Sequence, residues 1–179
     1  MLPEMIAKLT NNSIMAEDQQ HCPPGGARPL TRGETGLVRF IFGSSVDCSR
    51  VTIKRRKWFP LQPVQTVMAP RGHLHFHPDC SLYEEDFAAA SLSRQGLFLH
   101  EMTHVWQTQK QGEWHLILRR HPFCRYDYSL KPGWSLDRYG LEQQAEIIRH
   151  AFLMRKGVAI AGVADKTAYD VLVRFPGAG

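Results

Sequence analysis

The segment Leu97–Gln107 constrains the fold of this chain more than any other stretch. It reads LFLHEMTHVWQ and places His100, Glu101 and His104 in the order H-E-x-x-H. On a helix of 3.6 residues per turn, two histidines four positions apart lie one above the other on one face. Because most other positions are apolar, the segment predicts a buried helix. Buried histidine and glutamate side chains are costly unless they are paired or bind a metal.

This spacing predicts a zinc site with a base beside it. Two imidazoles one helical turn apart can bind one Zn²⁺, and Glu101 can then take a proton from a water molecule that attacks a substrate. The competing interpretation is a chance match, in which both histidines are satisfied by core contacts. The buried setting favours the metal site, so we expect His100 and His104 as ligands and Glu101 as the catalytic base.

A catalytic zinc site usually has a third protein ligand. The segment from Leu136 to about Arg155 predicts a helix, with Ser135 as its N-cap, and carries Glu142 and Glu146 on one face. One carboxylate would bind the metal and the other would hold the ring of a ligand histidine. The spacing leaves both assignments open. It also leaves open a surface ion pair between Glu146 and a basic residue further along the helix.

If the water attacks a carbonyl group, the site also needs a donor for the oxyanion that forms on it. The candidates nearest in sequence are His121, Tyr126, Tyr128 and Tyr139.

A second histidine cluster alternates along a predicted strand. His73, His75 and His77 would share one strand face, about 7 Å apart per step, which is too far for one small ion to bridge all three. We therefore favour the interpretation that these histidines lie on the face of an edge strand near a cleft. A metal site is the second interpretation.

The overall pattern predicts one α+β domain. Residues 1–30 are polar and end in CPPGGARP, which indicates a tail or linker, and the domain would span residues 31–179. A capping box at Thr31 and Glu34 predicts a helix that Gly43 ends. Short strands near Val51, Val64–Met68 and His73–His77 predict an antiparallel hairpin or meander before the central helix.

Composition limits the partners. No apolar run is long enough to span a bilayer, and the N-terminus lacks the pattern of a signal peptide, so we expect synthesis in the cytoplasm. The net charge of +5 is partly clustered in Lys54–Lys57, but no nucleic-acid-binding motif accompanies it, and we expect no nucleic-acid partner. The scattered cysteines indicate reduced thiols; they are Cys22, Cys48, Cys80 and Cys124.

The sequence resembles the gluzincin branch of zinc metallopeptidases, in which H-E-x-x-H is followed by a second helix with E-x-x-A and an acid or amide. The segment EQQAE at 142–146 matches this pattern. The resemblance implies that Glu142 is the third ligand and that Glu146 supports a histidine. At position 146 this chain has Glu in place of the commoner Asp or Asn. Glu142 and Glu146 could therefore have exchanged roles, with Glu146 as the ligand.

A closer resemblance covers roughly Thr31 to Gly157. HEMTHVWQ, RRHPFCRYDY and the segment GWSLDRYGLEQQAEI are similar to metallopeptidase domains on Vgr spike proteins of type VI secretion systems, and to stand-alone Vgr-related proteins. The resemblance implies a zincin-like fold and an antibacterial effector that cleaves peptide or protein substrates in the periplasm of a target bacterium. It also implies a spike component as partner, although we find no spike domain in this chain.

Two other functions fit the same motif. A zinc hydrolase could cut amide bonds of peptidoglycan in place of protein, because the attacked bond is chemically alike. A zincin-fold binding module could keep its metal for stability alone, but it would have no need of Glu101.

Overall fold

The computed structural model describes residues 21–113 and 126–179. Residues 1–20, His121 and Cys124 therefore lie outside the described residues.

Four α-helices and three short strands form the described part of the chain. The helices are α1 (Arg32–Phe42), α2 (Leu92–Gln111), α3 (Leu141–Arg155) and α4 (Lys166–Leu172), and the strands are β1 (Ala27–Pro29), β2 (Thr52–Lys54) and β3 (Leu74–His75). The architecture is α+β, as the sequence predicts. None of the described helices combines the length and apolar character needed to cross a membrane.

Helix α1 begins with the predicted capping box. Thr31 Oγ1 accepts a hydrogen bond from the Glu34 backbone N–H at 3.0 Å, and the Glu34 carboxylate accepts one from the Thr31 backbone N–H at 2.9 Å. The helix ends at Gly43, whose φ of 53° lies in the left-handed region. A Cβ atom there would lie 2.0 Å from the carbonyl oxygen of Pro176, so glycine also permits the C-terminal segment to pass.

The sheet is mixed, which differs from the predicted antiparallel meander. β1 pairs antiparallel with β2, and β2 pairs parallel with β3. Residues 64–68 do not form the predicted strand; Met68 makes a single antiparallel bridge to His75. Strands this short contain too few side chains for alternation to reveal their pairing.

Residues ahead of α1 contribute to the sheet, although they fall within the expected tail. β1 supplies Arg28, which is only 3% exposed, and its guanidinium makes two hydrogen bonds to Glu34, at 2.8 and 2.7 Å. Glu34 also accepts a hydrogen bond from the backbone N–H of Phe87 at 3.1 Å. This buried ion pair joins β1, α1 and the segment before α2.

Helix α2 is the centre of the core and packs along α3. Ser91 caps it, and every residue from Phe98 to Thr108 is buried. Side chains of α3 come close to Gly96 of α2, since a Cβ atom there would meet Cγ of Arg149 at 3.3 Å and Cδ2 of Leu153 at 3.6 Å.

Helix α3 begins later than predicted. Leu136–Arg138 form a separate 3₁₀ turn, Ser135 makes no side-chain cap, and the α-helix starts at Leu141. Tyr139 is extended between the two, and its carbonyl accepts a hydrogen bond from the Gln144 side chain at 2.7 Å. A continuous helical pattern in the sequence therefore conceals a break just before Glu142.

Candidate metal centre

Three predicted ligands converge between α2 and α3. His100 and His104 are 6% and 0% exposed, and Glu142 in the first turn of α3 is 1% exposed. One ligand atom from each residue lies within 4.8 Å of the others. Oε2 of Glu142 is 3.3 Å from Nε2 of both histidines. The break before α3 places this carboxylate at a helix N-terminus, where negative charge is favoured.

Glu146 lies one turn further along α3 and faces the other side of His100. Its Oε1 is 2.9 Å from Nδ1 of His100, the nitrogen that points away from Glu142. Its carboxylate is also 3.3 Å from Arg149 and 3.6 Å from Nε2 of His150. The ring support and the ion pair, which are alternatives at the level of sequence, are therefore both present.

Gln107 holds the other histidine, a contact that our sequence analysis missed. Nδ1 of His104 lies 2.9 Å from Oε1 of Gln107, which is 0% exposed. The Gln107 amide nitrogen donates to the Leu141 carbonyl at 3.0 Å and to Oε1 of Gln144 at 2.9 Å. Its oxygen is therefore the acceptor for the ring N–H of His104. A glutamine three positions after His104 lies on the same helix face, a spacing that could have indicated this contact.

These contacts leave the two Nε2 atoms for a cation. Nε2 of His104 is buried and has no hydrogen-bond partner among the described residues. Nδ1 of His100 lies at ion-pair distance from Glu146 and Nδ1 of His104 bonds to Gln107, so the two Nε2 atoms and the Glu142 carboxylate face one point. Two imidazoles and one carboxylate are a ligand set of catalytic zinc sites. The donor set therefore fits a divalent metal.

The charge of the site also favours a cation. Burial of the His100 ring lowers its pKa, but the carboxylates of Glu142 and Glu146 outweigh burial and raise the pKa to about 9. Burial raises the pKa of Glu146, but the hydrogen bond with His100 and the positive charges of His100, Arg149 and His150 together lower it below its usual value. These carboxylates stabilise a proton on His100, and a divalent cation would replace that proton.

Glu101 is buried beside the ligands without contributing one of them. It is 5% exposed, and its Oε2 has no hydrogen-bond partner among the described residues. Its charge is close enough to help raise the pKa of His100. A carboxylate at this position is available to exchange a proton with a bound molecule.

The three tyrosines that we considered as oxyanion donors have different surroundings in the structure. The ring of Tyr126 stacks on His100 with centroids 6.3 Å apart, and Tyr126 is 51% exposed at the edge of the site. The Tyr128 hydroxyl bonds to Nδ1 of His150 at 2.5 Å and to the Tyr169 hydroxyl at 2.7 Å, so it extends the polar contacts beyond Glu146. The Tyr139 hydroxyl instead accepts from the backbone of Lys131 at 2.8 Å.

The histidines around β3 do not form a metal cluster among the residues described here. His73 Nδ1 lies 2.9 Å from the Thr52 hydroxyl, and the His75 ring packs against Trp58. Nδ1 of His77 accepts a hydrogen bond from the Asp79 backbone at 3.1 Å. Among all residues that the structure describes, only His100, His104 and Glu142 meet the geometric requirements of a metal site.

Comparison with known proteins gives a relative in sequence and a relative in structure. No family model matches the chain. The chain is 38% identical over 156 residues to the type VI secretion system spike protein VgrG2b of Pseudomonas aeruginosa; the match covers 83% of this chain and 15% of the spike protein. The solved effector domain of P. aeruginosa VgrG2b superimposes with a TM-score of 0.68 and 32% identity, covering 94% of this chain and 96% of that domain. The chain therefore belongs to the family of the VgrG2b effector domain.

Proposed function

We propose that this chain is a zinc-dependent metallopeptidase with a zincin-like fold. The observation that carries the proposal is the convergence of His100, His104 and Glu142 on one point, with Glu101 next to them. Zinc, when bound, would supply a Lewis acid that polarises the scissile carbonyl and acidifies the attacking water. His100, His104 and Glu142 would hold it.

The protein's own groups would perform the proton transfers and the positioning. Glu101 would take the proton of the attacking water and return it to the leaving amine. Glu146 and Gln107 would fix the rings of His100 and His104, so that each presents Nε2 to the metal. Tyr126, exposed beside His100, would contact the substrate near the reacting bond.

The ligand count supports catalysis over a purely structural metal. Structural zinc sites are closed by four protein ligands, whereas catalytic sites have three and keep one position open. The cluster contains three candidate ligands in the described part of the chain. Glu101, which is buried and does not belong to the cluster of three candidate ligands, would supply the base that such a site needs.

We propose that this activity serves competition between bacteria. The relationship to an effector domain of a type VI spike protein supports an antibacterial effector that reaches the periplasm of a target cell, in association with a spike component. Its substrates would be peptides or proteins of the envelope.

The test compares the zinc-loaded wild-type chain with Glu101→Gln and with Glu113→Gln, an exposed residue just beyond α2. We expect wild type and Glu113→Gln to cleave unfolded protein substrates, with new peptide termini detected by mass spectrometry. Glu101→Gln should bind equal zinc and lose at least a hundredfold in rate.

Purified peptidoglycan incubated in parallel separates the alternatives. Release of stem peptides from peptidoglycan without proteolysis would make the chain an amidase. Equal inertness of all three proteins towards both substrates would indicate a binding module. In cells, export to the periplasm should be toxic for the wild type and harmless for Glu101→Gln.

A further inference from the structure

Most of the large apolar side chains that are exposed in the described part of the chain lie in one loop, residues 57–66. Six large hydrophobic residues are exposed in the described part of the chain, and four of them belong to this loop: Trp58 (37%), Phe59 (39%), Leu61 (84%) and Val64 (41%). Single exposed apolar residues are ordinary on protein surfaces, but a contiguous group indicates an interaction site.

The loop is held in a defined conformation. Two consecutive turns shape it, closed by the Gln62 N–H to the Phe59 carbonyl at 3.1 Å and the Thr66 N–H to the Pro63 carbonyl at 3.2 Å. The buried Gln62 side chain accepts from the Trp58 N–H at 2.7 Å and donates to the Thr66 carbonyl at 2.8 Å.

Both turns present an apolar residue at the tip, where polar residues are the rule. Leu61 follows Pro60 in the first turn and Val64 follows Pro63 in the second. An ordered loop with apolar tips keeps this surface exposed to solvent at a free-energy cost that a binding partner would relieve.

Basic residues flank the same loop in the sequence. From Lys54 to Gly72 the sequence contains five basic residues and no acidic one. Within the described residues, no carboxylate lies within ion-pair distance of Lys54, Arg56 or Lys57, and the Arg71 guanidinium lies over the Trp58 ring at 5.6 Å. The mutual repulsion shows at Lys54, where burial lowers the pKa and the charge of Arg56 lowers it further.

We propose that the 57–66 loop docks on an anionic lipid bilayer. Apolar turn tips can enter the boundary between headgroups and acyl chains, while the basic residues meet the lipid phosphates. Trp58 has the amphipathic ring that is typical of this boundary. A nucleic acid would engage the basic residues but leave Leu61 and Val64 in water. This inference does not depend on the proposed peptidase activity.

The experiment measures co-sedimentation of the full-length chain with two kinds of vesicle, at about 0.05 and 0.3 M salt. One kind is pure phosphatidylcholine, and the other is a mixture of phosphatidylglycerol and phosphatidylcholine at a ratio of about 3:7. We expect binding to the anionic vesicles only, weakened at the higher salt. Phe59→Ser/Leu61→Ser should lower the partition coefficient on the order of tenfold. Arg56→Gln/Lys57→Gln should lower it about 25-fold, at about fivefold per charge.

The control variants make changes of the same kind elsewhere on the surface. Val171→Ser removes an apolar residue that is 61% exposed on α4, and Arg32→Gln/Arg174→Gln removes two exposed charges; both should bind like the wild type. The proposal is overturned if the wild type does not bind anionic vesicles at low salt, or if the controls weaken binding as much as the loop variants. It is also overturned if Phe59→Ser/Leu61→Ser binds unchanged while duplex DNA competes, which would make the surface a general polyanion site.

Discussion

Oε1 of Gln107 accepts the ring hydrogen of His104 at 2.9 Å, one helical turn along the same buried helix. Its counterpart at the other ligand is a carboxylate, since Glu146 lies 2.9 Å from Nδ1 of His100. The two imidazoles are thus oriented differently, one by a neutral amide and one by a charged group. The amide of Gln107 also ties α2 to the first turn of α3 through Leu141.

We predict that Gln107→Leu weakens zinc binding 10–100-fold, because the His104 ring loses the acceptor that fixes its tautomer and orientation. Zinc affinity is measured by competition with a chromophoric chelator. Gln95→Leu is the control: Gln95 lies on the same helix and also makes two hydrogen bonds, to Ala88 and Ala90. Equal zinc affinity in Gln107→Leu and Gln95→Leu would contradict the role of Gln107.

Substitution of the two glutamates of α3 should affect zinc binding to different extents. Glu142→Ala removes a predicted ligand and should leave no zinc bound at micromolar free metal, whereas Glu146→Ala removes only the support of His100 and should weaken binding 10–100-fold. Zinc titrations of both variants measure the difference. If Glu146→Ala is the variant that empties the site, the two roles are reversed.

Removal of the metal should lower thermal stability. At free zinc one hundred times the dissociation constant, binding adds about 2.7 kcal/mol to the free energy of unfolding, which raises Tm by about 5–10 °C for a domain of this size. Chelation should reverse this shift in the wild type and in Glu101→Gln. His100→Ala and His104→Ala should show no shift, and a zinc-dependent Tm in these variants would exclude the site.

Arg28→Ala should destabilise the fold strongly. Arg28 and Glu34 are both buried and joined by two hydrogen bonds, so loss of the guanidinium leaves an unpaired buried carboxylate, at about 3–5 kcal/mol. Urea unfolding measures the change, with the exposed Arg32→Ala as the matched control. A loss below about 1 kcal/mol would show that residues ahead of α1 contribute little to stability.

The sequence predicts the helices better than the sheet. The capping box and Gly43 predict both ends of α1, and the H-E-x-x-H segment predicts the buried part of α2, because a helix carries its hydrogen bonds within one segment. The strands have two or three residues, and β1 lies in a segment rich in Pro and Gly. Its pairing depends on contacts with Lys54 and Glu34, which no local pattern contains.

The sequence likewise predicts only part of the candidate metal site. The spacing of His100 and His104 predicts that they share a helix face, and the likeness to gluzincins singles out Glu142. The spacing leaves open the distance between the two helices, which determines that Gln107 meets Gln144. The late start of α3 was equally hidden, because Leu136 and Leu141 continue an apolar pattern across the extended Tyr139.

All three candidate ligands and both residues that orient the histidine rings lie on α2 and α3. The connection between these helices, residues 112–140, contributes none of the five, and it contains Tyr126, whose ring covers one side of His100. If the chain is the peptidase proposed above, we therefore expect metal affinity and substrate preference to depend on different segments of the chain. Replacing the connection with that of a relative should yield a hybrid that binds zinc as before and cleaves a different set of peptides.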